Sequence, residues 1–318
     1  MELPAMKPGS RRKIFILGIL AVVMIGVGSI WGLDIYKFAQ HLYFGAYYGV
    51  ADRHQVKTSR IEAVTFYSES LKTDKEYRVY LPDGYDTGSG RFPVLYLLHG
   101  YPGSDRDWLT NTNLQVQLDQ LIAQGKLMPL IVVMPDGQGT RFRDSQFVNA
   151  DLIDQAMEDF VVRDLTKDVD RRYRTVPQRL GRGIAGLSSG GFGAVNLALR
   201  HNDEFAFALS FSGYFDGSEK SLKKLLSPDN LKSNTPLSYL PDQHLNPRTS
   251  VVLLIGEKDK ERFVQSNRQL EAVLAGKGVS SHLIQDPAEG HGWSLWRKKI
   301  PEMFGIFGND YRLLNGIN

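Results

Sequence analysis

Several short stretches of this chain are apolar almost from end to end: residues 92–98, 130–134, 180–185, 207–211 and 250–255. A strand with one wet face alternates apolar and polar side chains. A run without that alternation needs cover on both faces, as strands of a parallel sheet have. The intervening segments 114–122, 152–169, 192–200 and 263–274 carry apolar residues at helical spacing. Alternation of the two kinds from residue 92 onward predicts an α/β fold: a mostly parallel central sheet with helices on both faces. Strands at 60–67 and 77–81 precede this pattern, and a short strand at 282–284 and a helix through about residue 304 close it. Residues 217–246 are largely polar, hold three prolines, and read as an insertion near the site. In such sheets ligands bind at the carboxyl ends of the strands.

The run at 180–185 is the one that leads to chemistry. It is followed by Gly186-Leu187-Ser188-Ser189-Gly190, a G-x-S-x-G sequence, and then by the helical pattern from Phe192. Ser188 therefore falls on a strand-to-helix turn. Small neighbours let strand and helix approach, and the turn lifts the serine hydroxyl clear of the sheet. The N–H of Ser189, opening the helix, points towards a developing oxyanion. A glycine-rich turn around a buried serine is the plainer reading of the same residues.

A serine needs a base, and the base needs a third group to orient it. Enzymes built on this turn carry the partners in the order Ser, acid, His. Past the strand ending at Ile255, Glu257 and Asp259 both qualify as the acid, and Asp259 lies further into the loop, better placed to reach a histidine. Among the histidines, His291 sits between two glycines after the last strand. His201 ends a helix, where a cation suits the dipole, while His282 lies in a strand and His244 in the insertion. The second oxyanion donor belongs to the loop after the strand at 92–98, and the backbone N–H of Tyr101 is the candidate. His99 precedes the nucleophile and is better suited to shaping that loop. Specificity falls to the loops near Trp108, Tyr214, Trp293 and the 217–246 insertion.

Other chemistries find little support. Gly181-Arg182-Gly183-Ile184-Ala185-Gly186 fits G-x-G-x-x-G, but its glycines run into a strand instead of opening a helix, so a bound dinucleotide is not expected. No histidine cluster has metal-ligand spacing, and the chain has no cysteine for a thiolate or disulfide. No metal and no cofactor are expected. The net charge of +3 is spread over scattered Lys and Arg, which argues against a nucleic-acid partner.

From Ile14 to Leu33 no charged residue occurs, about the length that crosses a bilayer as a helix. The run is longer than the apolar part of a cleaved signal peptide and lacks a good A-x-A site. Lys7, Arg11, Arg12 and Lys13 before it put the N-terminal end in the cytoplasm. The expected organisation is a basic tail (1–13), a transmembrane anchor (14–33), an aromatic juxtamembrane linker (34–59) and an extracytoplasmic catalytic domain (60–318). The linker, with Tyr36, Phe38, Tyr43, Phe44, Tyr47 and Tyr48, reads either as a helix at the membrane surface or as aromatics packed on the domain.

Taken together, His99-Gly100, Met134-Pro135-Asp136-Gly137, Asp170-Arg171-Arg172-Tyr173-Arg174-Thr175, Gly186-Leu187-Ser188-Ser189-Gly190-Gly191, Gly256-Glu257-Lys258-Asp259 and Gly290-His291 resemble the esterase D-like "putative esterase" family over roughly residues 60–307. That family includes S-formylglutathione hydrolases, feruloyl and enterochelin esterases and mycobacterial mycolyltransferases. The resemblance implies an α/β-hydrolase fold, with Ser188 as nucleophile, Asp259 as acid, His291 as base, and oxyanion donors at Tyr101 and Ser189. The anchor and linker depart from its cytosolic members. The expected function is a membrane-anchored serine hydrolase of carboxylic esters, acting through an acyl-enzyme on a small-molecule, lipid or sugar ester. The alternatives are an acyltransferase to a sugar or lipid hydroxyl and a non-catalytic binding protein on the same fold.

Overall fold

The computed structural model describes residues 59–139 and 144–317. The expected tail (1–13), anchor (14–33) and all but the last residue of the linker (34–59) lie outside the described residues. Among the described residues no helix is long and apolar enough to cross a membrane.

The runs without alternation become the centre of one eight-stranded sheet. Its strands are β1 (Arg60–Ser68), β2 (Thr73–Leu81), β3 (Val94–Leu98), β4 (Ile131–Pro135), β5 (Arg182–Leu187), β6 (Phe207–Phe211), β7 (Ser250–Gly256) and β8 (Ser280–Asp286). The spatial order is β1-β2-β4-β3-β5-β6-β7-β8. Strands β4 to β8 run parallel through β3, while β1 pairs antiparallel with β2 and β2 with β4. The chain steps outward from β3 to β4, then crosses back over β3 to β5. The order therefore reverses between β3 and β5, where an open α/β sheet leaves a crevice.

Both faces are covered, as the sequence requires. Val94, Tyr96 and Leu98 enter one apolar cluster, and Leu95 and Leu97 the other. On the first face lies helix α2 (Ser189–Arg200), with α1 (Leu114–Ala123) on the second. Helix α3 (Glu261–Gly276) joins the first face and α4 (Trp293–Asn315) the second. Leu295, Ile300, Met303, Phe304, Phe307 and Tyr311 of α4 are all buried. Burial of each large side chain contributes on the order of 1.5–3 kcal/mol.

Several elements differ from expectation for local reasons. Helix α4 runs to Asn315, past residue 304, because Phe307 and Tyr311 continue its apolar stripe despite Pro301 within it. The helix expected over 152–169 begins only at Met157, with a π segment at Phe160–Leu165. Before it a short hairpin pairs Asn149–Ala150 with Gln155–Ala156, turning at Asp154 with φ 49°. Strand β2 starts at Thr73, because its first residues pair with edge strand β1, where Asp74 and Glu76 stay exposed while Lys75 turns inward. The 217–246 insertion is partly helical, over Leu222–Leu225, Pro228–Ser233 and Pro236–Tyr239. Two of its prolines open helices, where a missing N–H costs nothing.

Candidate active site

Strand β5 lies at the middle of the sheet, with Gly186 level with Leu98 of β3 and Ser210 of β6. Ser188 follows it with φ 53° and ψ −116°, a backbone conformation that L residues rarely adopt. The turn is fixed at both ends: Ser188 N–H donates to the Phe211 carbonyl at 2.8 Å, and Phe192 N–H to the Ser188 carbonyl at 2.9 Å. Strand and helix touch backbone to backbone here. A Cβ on Gly186 would lie 2.2 Å from the Gly190 carbonyl oxygen, and one on Gly190 2.4 Å from that of His99. No side chain fits in either place.

The downstream partners arrive from the ends of β7 and β8. The acid loop and the base loop are stitched together by Glu257 N–H to the Asp286 carbonyl (2.9 Å) and Lys258 N–H to the Glu289 carbonyl (3.0 Å). This brings Asp259 Oδ2 within 2.7 Å of His291 Nδ1, and His291 Nε2 within 2.9 Å of Ser188 Oγ. With Nδ1–H donating to the carboxylate, Nε2 is left to accept the serine proton. The Asp259 side chain is only 1% exposed. Its other oxygen accepts the Lys260 N–H at 2.6 Å. Glu257 is exposed and faces Arg268 and Gln285 instead, so of the two candidate acids the structure brings only Asp259 to the histidine.

The loop after β3 lies against the nucleophile. A Cβ on Gly100 would come within 3.2 Å of Ser188 Cβ, and the next residue is Tyr101. His99 holds this loop from below. Its Nδ1–H donates to the Gly100 carbonyl at 2.8 Å, and its Nε2 accepts from Gly137 N–H at 2.9 Å. This is the shaping role expected of it, and it fixes one tautomer of the ring. Ser189 is the first residue of α2, so its N–H has no acceptor within the helix. Tyr101 and Ser189 thus follow the ends of adjacent strands β3 and β5, and both line the same cleft as Ser188.

A cleft of about 680 Å³ opens over these residues and includes Tyr101, Ser188, Ser189 and His291 in its lining. Of the three aromatic residues expected near a substrate, Tyr214 lines it. Trp108 and Trp293 do not. Trp108 is completely buried, donates its indole N–H to the Leu98 carbonyl at 2.9 Å, and packs edge-on to Phe211 and Trp293. An aromatic this apolar serves better as ballast beneath the β3 loop than as a contact in the open cleft.

The sequence reading missed Trp296. Its ring packs edge-on to His291 with centroids 5.1 Å apart, and its indole N–H donates to Ser212 Oγ at 3.0 Å. Ser212 itself has φ 57°, and its N–H donates to the Leu254 carbonyl at 2.7 Å. A chain of contacts from the β6 end therefore supports the histidine. Its spacing of five residues after His291 was the only sequence signal. Asp144 and Gln146 at the cleft were missed too. Burial raises the Asp144 carboxyl above its ordinary range, with hydrogen bonds from Gln146 opposing that shift.

The sequence profile of the family described as "Putative esterase" matches residues 68–307. An endo-1,4-beta-xylanase/feruloyl esterase of Xylanibacter ruminicola is 27% identical over 257 residues, covering 80% of this chain and 32% of that protein. An esterase of Mycobacterium tuberculosis is 34% identical over 164 residues, covering 52% of this chain and 34% of that protein. The chain thus spans about a third of the length of these relatives. A solved ferulic acid esterase superposes with a TM-score of 0.70 at 22% identity, covering 80% of this chain and 98% of that one. At that identity the likeness concerns the fold.

The contact geometry separates the two acidic candidates. Asp259→Asn is expected to lower kcat for an ester by roughly 10⁴-fold, because an amide can hold the imidazole in the wrong tautomer. Glu257→Gln is expected to change it less than about threefold, as for an exposed charge. Steady-state kinetics on the two purified variants check this, and the reverse ranking would move the acid to Glu257.

Proposed function

Since the chain belongs to the "Putative esterase" family, we propose that it is a serine hydrolase of carboxylic esters working through an acyl-enzyme. The observation that carries this reading is the unbroken contact from Asp259 through His291 to Ser188. His291 Nε2 takes the Ser188 hydroxyl proton as Oγ attacks the ester carbonyl. Asp259 holds the imidazole by its Nδ1–H and stabilises the imidazolium that forms. The carbonyl oxygen, now negative, rests on the N–H groups of Tyr101 and Ser189. Losing one such donor costs about 2.7–4 kcal/mol in comparable enzymes. The imidazolium then protonates the leaving alcohol. Water, deprotonated by the same nitrogen, attacks the acyl-enzyme and restores Ser188.

Ser188→Ala removes one small hydroxyl and should abolish both ester hydrolysis and labelling by an organophosphonate, with the circular dichroism of the fold unchanged. Ser189→Ala keeps its backbone N–H and should retain much of the activity. Intact-protein mass spectrometry with peptide mapping of the adduct reads both. An adduct on Ser189, or full hydrolysis by folded Ser188→Ala, contradicts the mechanism. A wild-type protein that takes no label at all speaks for a binding role on this fold.

The second part of the proposal is location: residues 14–33 anchor the chain, with the catalytic domain outside the cytoplasm. Its support is the uncharged run from Ile14 to Leu33 and the basic residues before it. Protease added to intact cells should degrade the domain. Full protection of a domain that is cleaved after lysis contradicts this topology.

A further inference from the structure

The cleft over Ser188 carries positive charge that the ester chemistry does not use. We propose that it selects esters whose acyl or alcohol part ends in an acidic group, held by Lys220, Lys224 and Lys260. This inference rests on the esterase reading, since it concerns the same cleft.

All three lysines line the cavity that holds Ser188 and His291, and all three are exposed. Lys220 and Lys224 come from the insertion after β6, and Lys260 from the acid loop beside Asp259. Among the described residues, no carboxylate is paired with any of the three ammonium groups. Lys260 Nζ lies 4.8 Å from the centre of the Phe263 ring, a contact that leaves its charge in place.

The two carboxylates lining the same cleft do not pair with these lysines. Glu219 accepts from Arg262 Nη2 at 2.6 Å, so that pair is neutral in sum. Asp144 accepts from the Gln146 backbone N–H at 3.1 Å and is bonded by the Gln146 side-chain amide as well. Both of its oxygens are thus occupied by Gln146 and neither pairs with one of the three lysines. Even with Asp144 ionised, the three lysines outnumber it, and the lining of the concavity stays net positive.

Three cations facing one cavity repel each other, and an anionic ligand relieves that repulsion. Field lines concentrate in a cleft with low-dielectric walls, so such a cluster raises the local concentration of acidic substrates. An ammonium is a compact point charge with three donors and suits a carboxylate in many orientations. A wholly neutral ester would leave these charges with water alone. The apolar lining from Ile153, Leu225 and Phe263 suits the carbon chain between ester and acid.

The test uses two matched pairs of esters on the full-length protein. The first is p-nitrophenyl butyrate against p-nitrophenyl hemiglutarate, with the acid on the acyl side. The second is phenyl butyrate against 4-carboxyphenyl butyrate, with the acid on the alcohol side. In at least one pair the acidic ester should have the higher kcat/KM. That acidic-to-neutral ratio should fall about tenfold in the Lys220→Gln/Lys224→Gln double variant, the size two partly exposed ion pairs reach. It should fall severalfold in Lys260→Gln, and also in wild type when salt is raised to about 0.5 M. Turnover of the neutral esters with no preference for the acidic ones, or a preference indifferent to the lysines and to salt, overturns the inference alone. Failure of wild type to turn over any of the four esters brings down the esterase reading, and this inference with it.

Discussion

Ser188 is held at φ 53° and ψ −116° by contacts made on either side of it, not by its own preference. A conformation of this kind costs on the order of 1–3 kcal/mol and persists only where the surroundings over-determine it. Here the surroundings are the central strand β5, paired on both edges, and the amino end of α2 pressed against it backbone to backbone. Relaxation of the serine would require the helix to move off the strand. That in turn would expose Phe192, Val195 and Leu199, which are fully buried. The strain at one residue is thus balanced by the packing of a whole face of the sheet.

The same arrangement sets the electrostatics of the site. Asp259 is almost wholly shielded from water, and a shielded carboxylate is tolerable only when its oxygens are occupied. One accepts the Lys260 backbone N–H and the other faces His291. The ring of His291 is more exposed than its partner and is steadied by Trp296, whose indole is tied to Ser212. The loop opposite is steadied by His99, which bridges Gly100 and Gly137. Every group that faces Ser188 is therefore anchored to the end of a different strand, and the sheet fixes their separations.

Much of this was legible in the sequence, because the signals were local or ordered along the chain. Runs without alternation marked β3 to β7, and the glycines around Ser188 marked the turn. Chain order singled out His291, and depth in the loop favoured Asp259 over Glu257 without excluding the latter. That choice depends on how the β7 loop folds back onto the β8 loop, a contact between residues some thirty positions apart. Trp108 was misjudged because an aromatic near a loop reads the same whether it faces substrate or core. Trp296 was missed because its role is to touch another side chain. The insertion was read only as a polar segment near the site, and its short helices, opened by Pro228 and Pro236, carried too little periodicity to be seen.

The central claim is geometric: Ser188 Oγ lies within 2.9 Å of His291 Nε2, and the carbonyl it attacks is proposed to turn its oxygen to the N–H groups of Tyr101 and Ser189. A crystal structure of the protein inhibited by an organophosphonate tests it directly, because the tetrahedral phosphorus stands in for the reacting carbon. The account predicts a bond from phosphorus to Ser188 Oγ and a phosphoryl oxygen about 3 Å from the N–H groups of both Tyr101 and Ser189. A phosphoryl oxygen turned into solvent, or an adduct reached only after the β3 loop has moved away from Ser188, would contradict it.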